Sequence, residues 1–196
     1  MVDIHPMIIF FAAIFTNNML LSNFLGMCSY IVISKDVETS FSLGQAVTFV
    51  ITCTTAINYF IYYYVLVPLD LEYIQFIIFI LVIAAFVQFV EMIISRFFKL
   101  LHYSLGIFLP LITVNCAILG VSLFMVIREY GFLQSLFFGV GSGIGWTLAI
   151  VIMAGIQQKL KSAPVPEGLK GAGITFITTG IMALAFLGFS GLINIQ

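Results

Sequence analysis

The sequence predicts an all-α, polytopic membrane protein with six transmembrane helices and no soluble domain of its own. Of the 196 residues, 62% are hydrophobic and only 8% are charged, whereas a soluble domain carries about 25% charged residues. The chain divides into six long apolar runs separated by short polar breaks. None of these runs alternates apolar and polar residues as a membrane-spanning strand does. We therefore expect a single membrane domain across residues 1–196.

Each apolar run is long enough to cross about 30 Å of hydrocarbon as a helix. The runs are 7–34, 43–67, 71–95, 101–127, 132–157 and 172–194. No basic segment or small-residue cleavage site accompanies run 1, so we expect a retained span rather than a signal peptide. The net charge of −1 gives no indication of a nucleic-acid partner. Any chemistry must lie within the membrane, at its surface, or on partner chains.

The basic residues predict how the chain is oriented in the membrane. Six of the seven follow odd-numbered runs: Lys35, Arg96, Lys99, Lys159, Lys161 and Lys170. The seventh, Arg128, follows run 4. Basic loops stay on the cytoplasmic side, so we expect the odd-numbered loops to be cytoplasmic and both termini to lie outside.

Runs 1 and 4 contain polar and helix-breaking residues where a plain membrane anchor would have leucine. In run 1 these residues are Thr16, Asn17, Asn18, Ser22, Asn23, Gly26 and Cys28. In run 4 they are Gly106, Pro110, Thr113, Asn115, Cys116 and Gly120. Three helices separate the starts of these runs, so the two runs must cross the membrane in opposite directions. Interrupted helices at corresponding places in two halves are typical of inverted repeats. We predict an inverted 3+3 repeat, with halves of about 1–98 and 99–196 and with helices 1 and 4 interrupted.

Cys28 and Cys116 occupy comparable points in the two interrupted runs. Unbroken helices starting near Met7 and Leu101 would put Cys28 about 31 Å from the outer face and Cys116 about 22 Å from the opposite face. In a core about 30 Å thick, the thiols would then differ by about 20 Å in depth. Broken helices would let both thiols approach the midplane, where they would be half of the four thiolates that an iron–sulfur cluster needs. Alternatively, a buried cysteine is simply a small apolar residue, as we expect for Cys53.

The glycine-rich segment 138–146, FGVGSGIGW, has two interpretations. A nucleotide-binding loop would need a preceding strand and a soluble βαβ unit, and neither is predicted. Close helix packing through small residues is favoured. We expect the same of Gly171, Gly173 and Gly180 in run 6.

Glu91 is the only carboxylate well inside an apolar run. It is either a cation or proton relay or the partner of Arg96 or Lys99 in an ion pair at the membrane interface. A self-sufficient transporter or channel is the alternative class of function, and it would place charged or strongly polar ligands at the midplane. Thiols, amides and hydroxyls predominate there instead, which favours a redox role.

Three segments of the chain resemble one family of membrane proteins. They are NFLGMCSY at 23–30, LGIFLPLITVNCAILG at 105–120 and GITFITTGIMALAFLGFSG at 173–191. The family contains membrane subunits of the Na⁺-translocating NADH:quinone reductase and of the related Rnf electron-transport complex, and the resemblance covers nearly the whole chain. LGMCSY at 25–30 and GSGIGWTLAI at 141–150 are most similar to the E-type subunits of the quinone reductase. The A-type subunit of the Rnf complex, a ferredoxin:NAD⁺ oxidoreductase, is the alternative.

The resemblance implies a cofactor, partners and a location. The family pairs each such chain with a homologous sister subunit, here of the D type, within a six-subunit complex of the bacterial inner membrane. A [2Fe–2S] centre lies between the pair and is held by two cysteines from each. By resemblance these are Cys28 in LGMC and Cys116 in VNC, while Cys53 matches neither motif. NADH, flavins and quinone would bind only partner subunits, so we expect no independent catalytic activity. Electron relay through the complex would be coupled to Na⁺ export.

Overall fold

Helices form the regular structure of the described residues. The computed structural model of the chain describes residues 5–34, 36–97, 109–162, 168 and 171–190. The α-helices in these parts are α1 (Pro6–Ile14), α2 (Met27–Ile33), α3 (Val37–Ile61), α4 (Gln75–Phe97), α5 (Leu109–Thr113), α6 (Cys116–Ile127), α7 (Phe132–Leu160) and α8 (Ala172–Ser190). A π-helical turn, Tyr62–Leu66, extends α3, and a 3-10 turn, Glu72–Ile74, precedes α4. The predicted all-α class is confirmed.

Several helical segments have the length and composition of membrane spans. Three are long enough to cross a bilayer, namely Val37–Leu66, Glu72–Ile93 and Phe132–Leu160. Two further apolar segments, Leu111–Ile127 and Ala172–Gly188, are shorter. These segments agree with apolar runs 2 to 6, but the number of spans and the inverted repeat stay predictions.

Runs 1 and 4, which contain the predicted helix-breaking residues, are each divided into two separate helices. In run 1, α1 ends at Ile14 and α2 begins at Met27, with turns between them. In run 4, residues 114 and 115 separate α5 from α6. We call these the first and second breaks. That both lie at membrane depth, as interrupted spans require, stays a prediction.

α7 packs closely against two helices through its glycines. Among the described helices, its contacts with α3 and α1 are the most extensive in the chain. A Cβ added at Gly143 would lie 2.8 Å from Cα of Thr48 in α3, and one added at Gly141 would lie 2.8 Å from the carbonyl oxygen of Phe10 in α1. Glycines four residues apart line one face of a helix, so Gly139 and Gly143 line the face towards α3, and Gly141 and Gly145 line the nearly opposite face towards α1. The predicted close packing of 138–146 is confirmed.

Gly171 and Gly180, for which the same packing is expected, pack against none of the described residues, so there it stays a prediction. A Cβ added at Gly171 or Gly180 would meet no atom of the described residues within 4 Å. Gly171 instead has a φ of +93° immediately before α8, a left-handed conformation that favours glycine. Its role is therefore to start the helix.

Polar side chains in the interior bond to neighbouring helices. Asn58 of α3 donates through Nδ2 to Oγ of Ser122 in α6 at 2.8 Å. Gln157 of α7 donates to the hydroxyls of Ser34 and Thr175 at 3.0 and 3.1 Å. Since a bilayer core contains no water to satisfy such groups, these bonds help to fix the relative positions of the helices.

Glu91 lies half-buried in α4, and among the described residues it forms no ion pair with Arg96. Lys99, its other predicted partner, lies outside the described residues. The ion-pair interpretation is thus limited to Lys99, and the relay interpretation stays a prediction.

The close contact at Gly143 gives a testable prediction. We expect Gly143→Ala to destabilise the protein by about 1–3 kcal/mol, because the new methyl group would overlap the backbone of α3 and force the two helices apart. Gly155→Ala in the same helix is the matched control, because a Cβ there meets no described atom within 4 Å. We expect that control to stabilise by about 0.4–1 kcal/mol. Thermal unfolding of the purified protein in detergent measures both, and equal midpoints for the two variants would contradict the packing argument.

Candidate metal centre

Cys28 and Cys116 each lie at the start of a helix that follows a break. Cys28 is the second residue of α2, and Cys116 is the first residue of α6. Both side chains are exposed on the surface of the chain, whereas Cys53 in α3 is half-buried and lines a different surface, between α3 and α7. All three cysteines are free thiols. The predicted ligand pair is therefore accessible from outside the chain.

The two breaks meet at Gly26, two residues before Cys28. The backbone N–H of Gly26 donates a hydrogen bond to Sγ of Cys116, with an N···S distance of 2.9 Å. This contact excludes two unbroken helices, which would separate the thiols by about 20 Å in depth. The LGMC and VNC motifs therefore lie side by side. That their thiols bind metal stays a prediction.

Glycine is required at position 26 for two separate reasons. Its φ of +87° and ψ of 14° are left-handed, and it is the residue immediately before α2. A Cβ here would also lie 2.5 Å from Nε1 of Trp146 and 3.1 Å from Oδ1 of Asn115. A side chain would thus be strained in conformation and would clash with its neighbours. The bare backbone of Gly26 lets the first break approach Cys116.

Asn115 fixes the start of α6, and with it the position of Cys116. Its Oδ1 accepts a hydrogen bond from the backbone N–H of Ala117 at 3.0 Å, and its own N–H donates to the carbonyl of Ile112 at 3.1 Å. This is a helix N-cap, which satisfies a backbone group that has no partner within the helix. The positive end of the α6 dipole also favours a negatively charged sulfur at this position.

Asn18 organises the first break in a similar way. Its fully buried amide donates through Nδ2 to the carbonyl oxygens of Ile14 at 3.1 Å and Gly145 at 2.8 Å. Its Oδ1 accepts from the N–H groups of Leu20 and Leu21 at 3.0 and 3.3 Å. One side chain therefore bonds to three backbone groups around the end of α1 and ties this break to α7. The sequence predicts Asn18 as a helix breaker, but it gives no sign of this bonding role.

The junction of the breaks also contains hydrogen-bond donors without acceptors. Nε1 of Trp146 and Nδ2 of Asn115 are buried and have no partner among the described residues. Both side chains lie against Gly26. Because sulfur ligands of metal clusters accept hydrogen bonds from such groups, the surplus of donors fits an electron-rich centre nearby.

The cysteines of this chain fit half of an iron–sulfur site. A [2Fe–2S] cluster is held by about four thiolates, and the chain has three cysteines, of which Cys53 lies elsewhere. Among the described residues, no three His, Cys, Asp or Glu side chains gather where they could hold a metal ion. A four-thiolate centre at Cys28 and Cys116 therefore needs two ligands from another chain.

Apolar helices of membrane-spanning length, and two exposed thiols where two broken helices meet, define an all-α integral membrane protein. The chain belongs to the Rnf-Nqr family: the family described as "Rnf-Nqr subunit, membrane protein" matches residues 7–193. This confirms the family assignment made from the sequence motifs.

Curated relatives are similar over nearly their whole length, and three of them are named as the E-type subunit of the Na(+)-translocating NADH-quinone reductase. The protein from Psychromonas ingrahamii is 52% identical and covers 96% of this chain and 98% of its own. The relatives from Serratia proteamaculans and Proteus mirabilis are 54% and 52% identical, each covering 95% of this chain and 98% of its own. These names agree with the resemblance to E-type subunits.

The two constraints on Gly26 can be separated by experiment. We expect Gly26→Ala to destabilise the protein by more than Gly171→Ala. Both residues have left-handed φ angles, but a Cβ at Gly171 meets no described atom within 4 Å. Gly171→Ala should therefore lower the free energy of unfolding by about 1 kcal/mol, because alanine is strained in a left-handed conformation. Gly26→Ala should lower it by about 1–3 kcal/mol more, because its methyl group also overlaps neighbouring side chains. Chemical or thermal unfolding of both variants measures the difference, and similar losses would mean that the contact with Trp146 is unimportant.

Proposed function

We propose that this chain is the E-type membrane subunit of a Na⁺-translocating NADH:quinone reductase. Cys28 and Cys116 supply two thiolate ligands to an intramembrane [2Fe–2S] centre, and a homologous D-type sister subunit supplies the other two. The chain takes part in an electron relay that is coupled to Na⁺ export. NADH, flavins and quinone bind to other members of the six-subunit complex. The observation that carries this proposal is the 2.9 Å hydrogen bond from Gly26 N–H to Cys116 Sγ, because it joins the two cysteine motifs.

The residues around the thiols have defined parts in this function. A [2Fe–2S] centre, when bound, takes up and releases one electron. The chain holds two sulfurs at the starts of α2 and α6, and the N–H of Gly26 points at one of them. Hydrogen bonds to ligand sulfurs and burial in a low dielectric set the potential of such a centre. Asn115 and Gly26 act here as positioning residues for Cys116 and Cys28.

Exposure of the breaks supports a shared site. Phe24 in the first break is 56% exposed, and Val114 in the second is 72% exposed. Irregular backbone is tolerated at membrane depth only where protein or a water-filled cavity covers it. A sister subunit seated on the two breaks covers this backbone and brings its own thiols to Cys28 and Cys116.

Six spans in an inverted 3+3 repeat complete the proposal. The halves are about 1–98 and 99–196, helices 1 and 4 are interrupted, and both termini lie on the periplasmic side of the bacterial inner membrane. The polar loops after runs 1 and 5 should then lie on one side. Lys161 and Asp36, which belong to these loops, form an ion pair at 4.0 Å. The end of run 2 and the start of run 5 should lie on the other side. In agreement, the ring of Tyr59, in the second half of run 2, is 5.4 Å from that of Phe132 at the start of run 5.

Metal analysis of the assembled complex tests the ligand assignment. We expect Cys28→Ala and Cys116→Ala each to remove about two iron atoms and the accompanying acid-labile sulfide per complex, because a cluster is lost when one of its thiolates is missing. The paramagnetic signal of the reduced centre should disappear with them. Cys53→Ala is the matched control and should retain both. Subunit composition, measured on the same samples, shows that each variant assembles. Full iron content in both ligand variants would overturn the assignment.

A further inference from the structure

Five buried polar side chains form a row along the inner face of α7. Three belong to α7 itself, at intervals of seven and four residues, namely Ser135, Ser142 and Trp146. Because successive helical residues are turned by about 100°, these three lie within about 40° of one another, between the face that packs on α1 and the face that packs on α3. Asn58 of α3 lies at one end of the row and Asn115 at the other. We call these five residues the α7 row.

Each residue of the row has a polar atom without a hydrogen-bond partner among the described residues. The atoms are Oδ1 of Asn58, Oγ of Ser135, Oγ of Ser142, Nε1 of Trp146 and Nδ2 of Asn115. None of these residues is more than 2% exposed. Outside the row, Oγ1 of Thr16 in the first break is the only other such atom in the described part of the chain. The unpaired buried groups are therefore concentrated along one line.

The two serines of the row differ from nearby hydroxyl residues. Thr147 of α7 and Ser122 of α6 each donate to the backbone carbonyl four residues earlier, at 2.8 and 3.3 Å. A hydroxyl in a helix is commonly satisfied in this way. Ser135 and Ser142 do not form this bond, so their hydroxyls are left for a partner outside the helix.

Asn58 and Ser135 lie at the same level of neighbouring helices. Gly139 of α7 packs on Thr55 of α3, where an added Cβ would be 3.3 Å from the threonine Oγ1. Asn58 follows Thr55 by three residues and Ser135 precedes Gly139 by four, and since the two helices run antiparallel, both lie about one turn away in the same direction. Nδ2 of Asn58 is already bonded to Ser122 at 2.8 Å. Its unpaired Oδ1 therefore needs a donor, which a water molecule between Asn58 and Ser135 provides.

This end of the row is close to the membrane surface. Ser135 is only three residues after Phe132, the first residue of α7, or about 4.5 Å along the axis. Arg128 lies in the loop before α7, and its guanidinium carbon is 5.9 Å from the ring centroid of Phe138, one turn after Ser135. A charged guanidinium keeps its contact with water. Water therefore reaches the level at which the row begins.

The other end of the row reaches the junction of the two breaks. Trp146 is one turn after Ser142, and its Nε1 lies 2.5 Å from the position of a Cβ added at Gly26. Asn115 lies against the same glycine, whose N–H donates to Sγ of Cys116. Sulfur ligands can accept hydrogen bonds only from the donors at this end, so the rest of the row needs a different partner. From Ser135 to Trp146 the row is about 16 Å long.

We infer that the α7 row binds a line of internal water molecules, which connects the end of α7 at Phe132 with the inner side of the cysteine junction. Buried water typically bonds to two to four polar groups that the protein itself leaves unpaired. The row supplies such groups at both ends and between them. This line gives the buried side of Cys116 access to water from the side of the membrane on which α7 begins. The inference goes beyond the proposed function and does not depend on the metal ligands.

Hydroxyl-radical footprinting of the assembled complex tests for this water. X-ray pulses generate radicals from water inside a protein as well as outside it, and the radicals oxidise the side chains beside that water. Trp146 is the only tryptophan of the chain, so the peptide that contains it reports on the row. Tyr30 is the matched reference, because it is also fully buried and its hydroxyl is bonded to Thr179 at 3.2 Å. We expect Trp146 to be oxidised about ten times faster than Tyr30, and equal rates overturn the inference.

Two variants show whether the water follows the row. Ser142→Val and Ser135→Val each replace a hydroxyl by methyl groups, so we expect each to slow the oxidation of Trp146 about tenfold. Ser135 is about 16 Å from Trp146 along the helix, so its effect cannot come from direct contact. Ser40→Val is the matched control, because Ser40 is fully buried outside the row and donates to the carbonyl of Ile33 at 3.2 Å. It should leave the rate unchanged.

An unchanged rate in either assembled serine variant overturns the inference, and slower oxidation in both supports it. If one of them does not assemble, the other decides. Iron content, measured in parallel, should stay at the wild-type value in each variant, which separates a loss of water from a loss of the metal centre.

Discussion

Backbone groups freed by a helix break need other hydrogen-bond partners, and this requirement governs the junction of the two breaks. The amide of Asn18 bonds to three backbone groups of the first break and to the carbonyl of Gly145 in α7. Asn115 caps the helix that follows the second break. The N–H of Gly26 finds an acceptor in the sulfur of Cys116. The need of freed backbone groups for hydrogen-bond partners therefore also brings the two cysteine motifs together.

The helical class and the position of the breaks could be predicted from the sequence because they depend on local composition. Apolar runs of more than twenty residues exclude other ways of crossing a membrane, and clusters of Asn, Gly and Pro mark where a helix is weak. Family motifs then identified Cys28 and Cys116. The contact between Gly26 and Cys116 could not be predicted in detail, because the two residues are 90 positions apart and their contact depends on how the helices pack in three dimensions.

The glycines show how far small residues in a sequence predict helix packing. In 138–146 they alternate with other residues, so that two helix faces are bare, and α1 and α3 occupy both faces. Gly171 and Gly180 looked equivalent in the sequence, yet neither packs against a described residue. A glycine in a membrane helix permits another helix to approach closely. Composition does not show whether a neighbouring helix packs there.

Three consecutive residues of α7 serve three different parts of the molecule. The backbone carbonyl of Gly145 accepts the hydrogen bond of Asn18 at the first break, Trp146 lies against Gly26 at the cysteine junction, and Thr147 lies against Gly44 of α3. Successive residues of a helix are turned by about 100° around its axis. A small rotation of α7 about its axis would therefore disturb all three places at once, which links the geometry around Cys116 mechanically to the contact between α7 and α3.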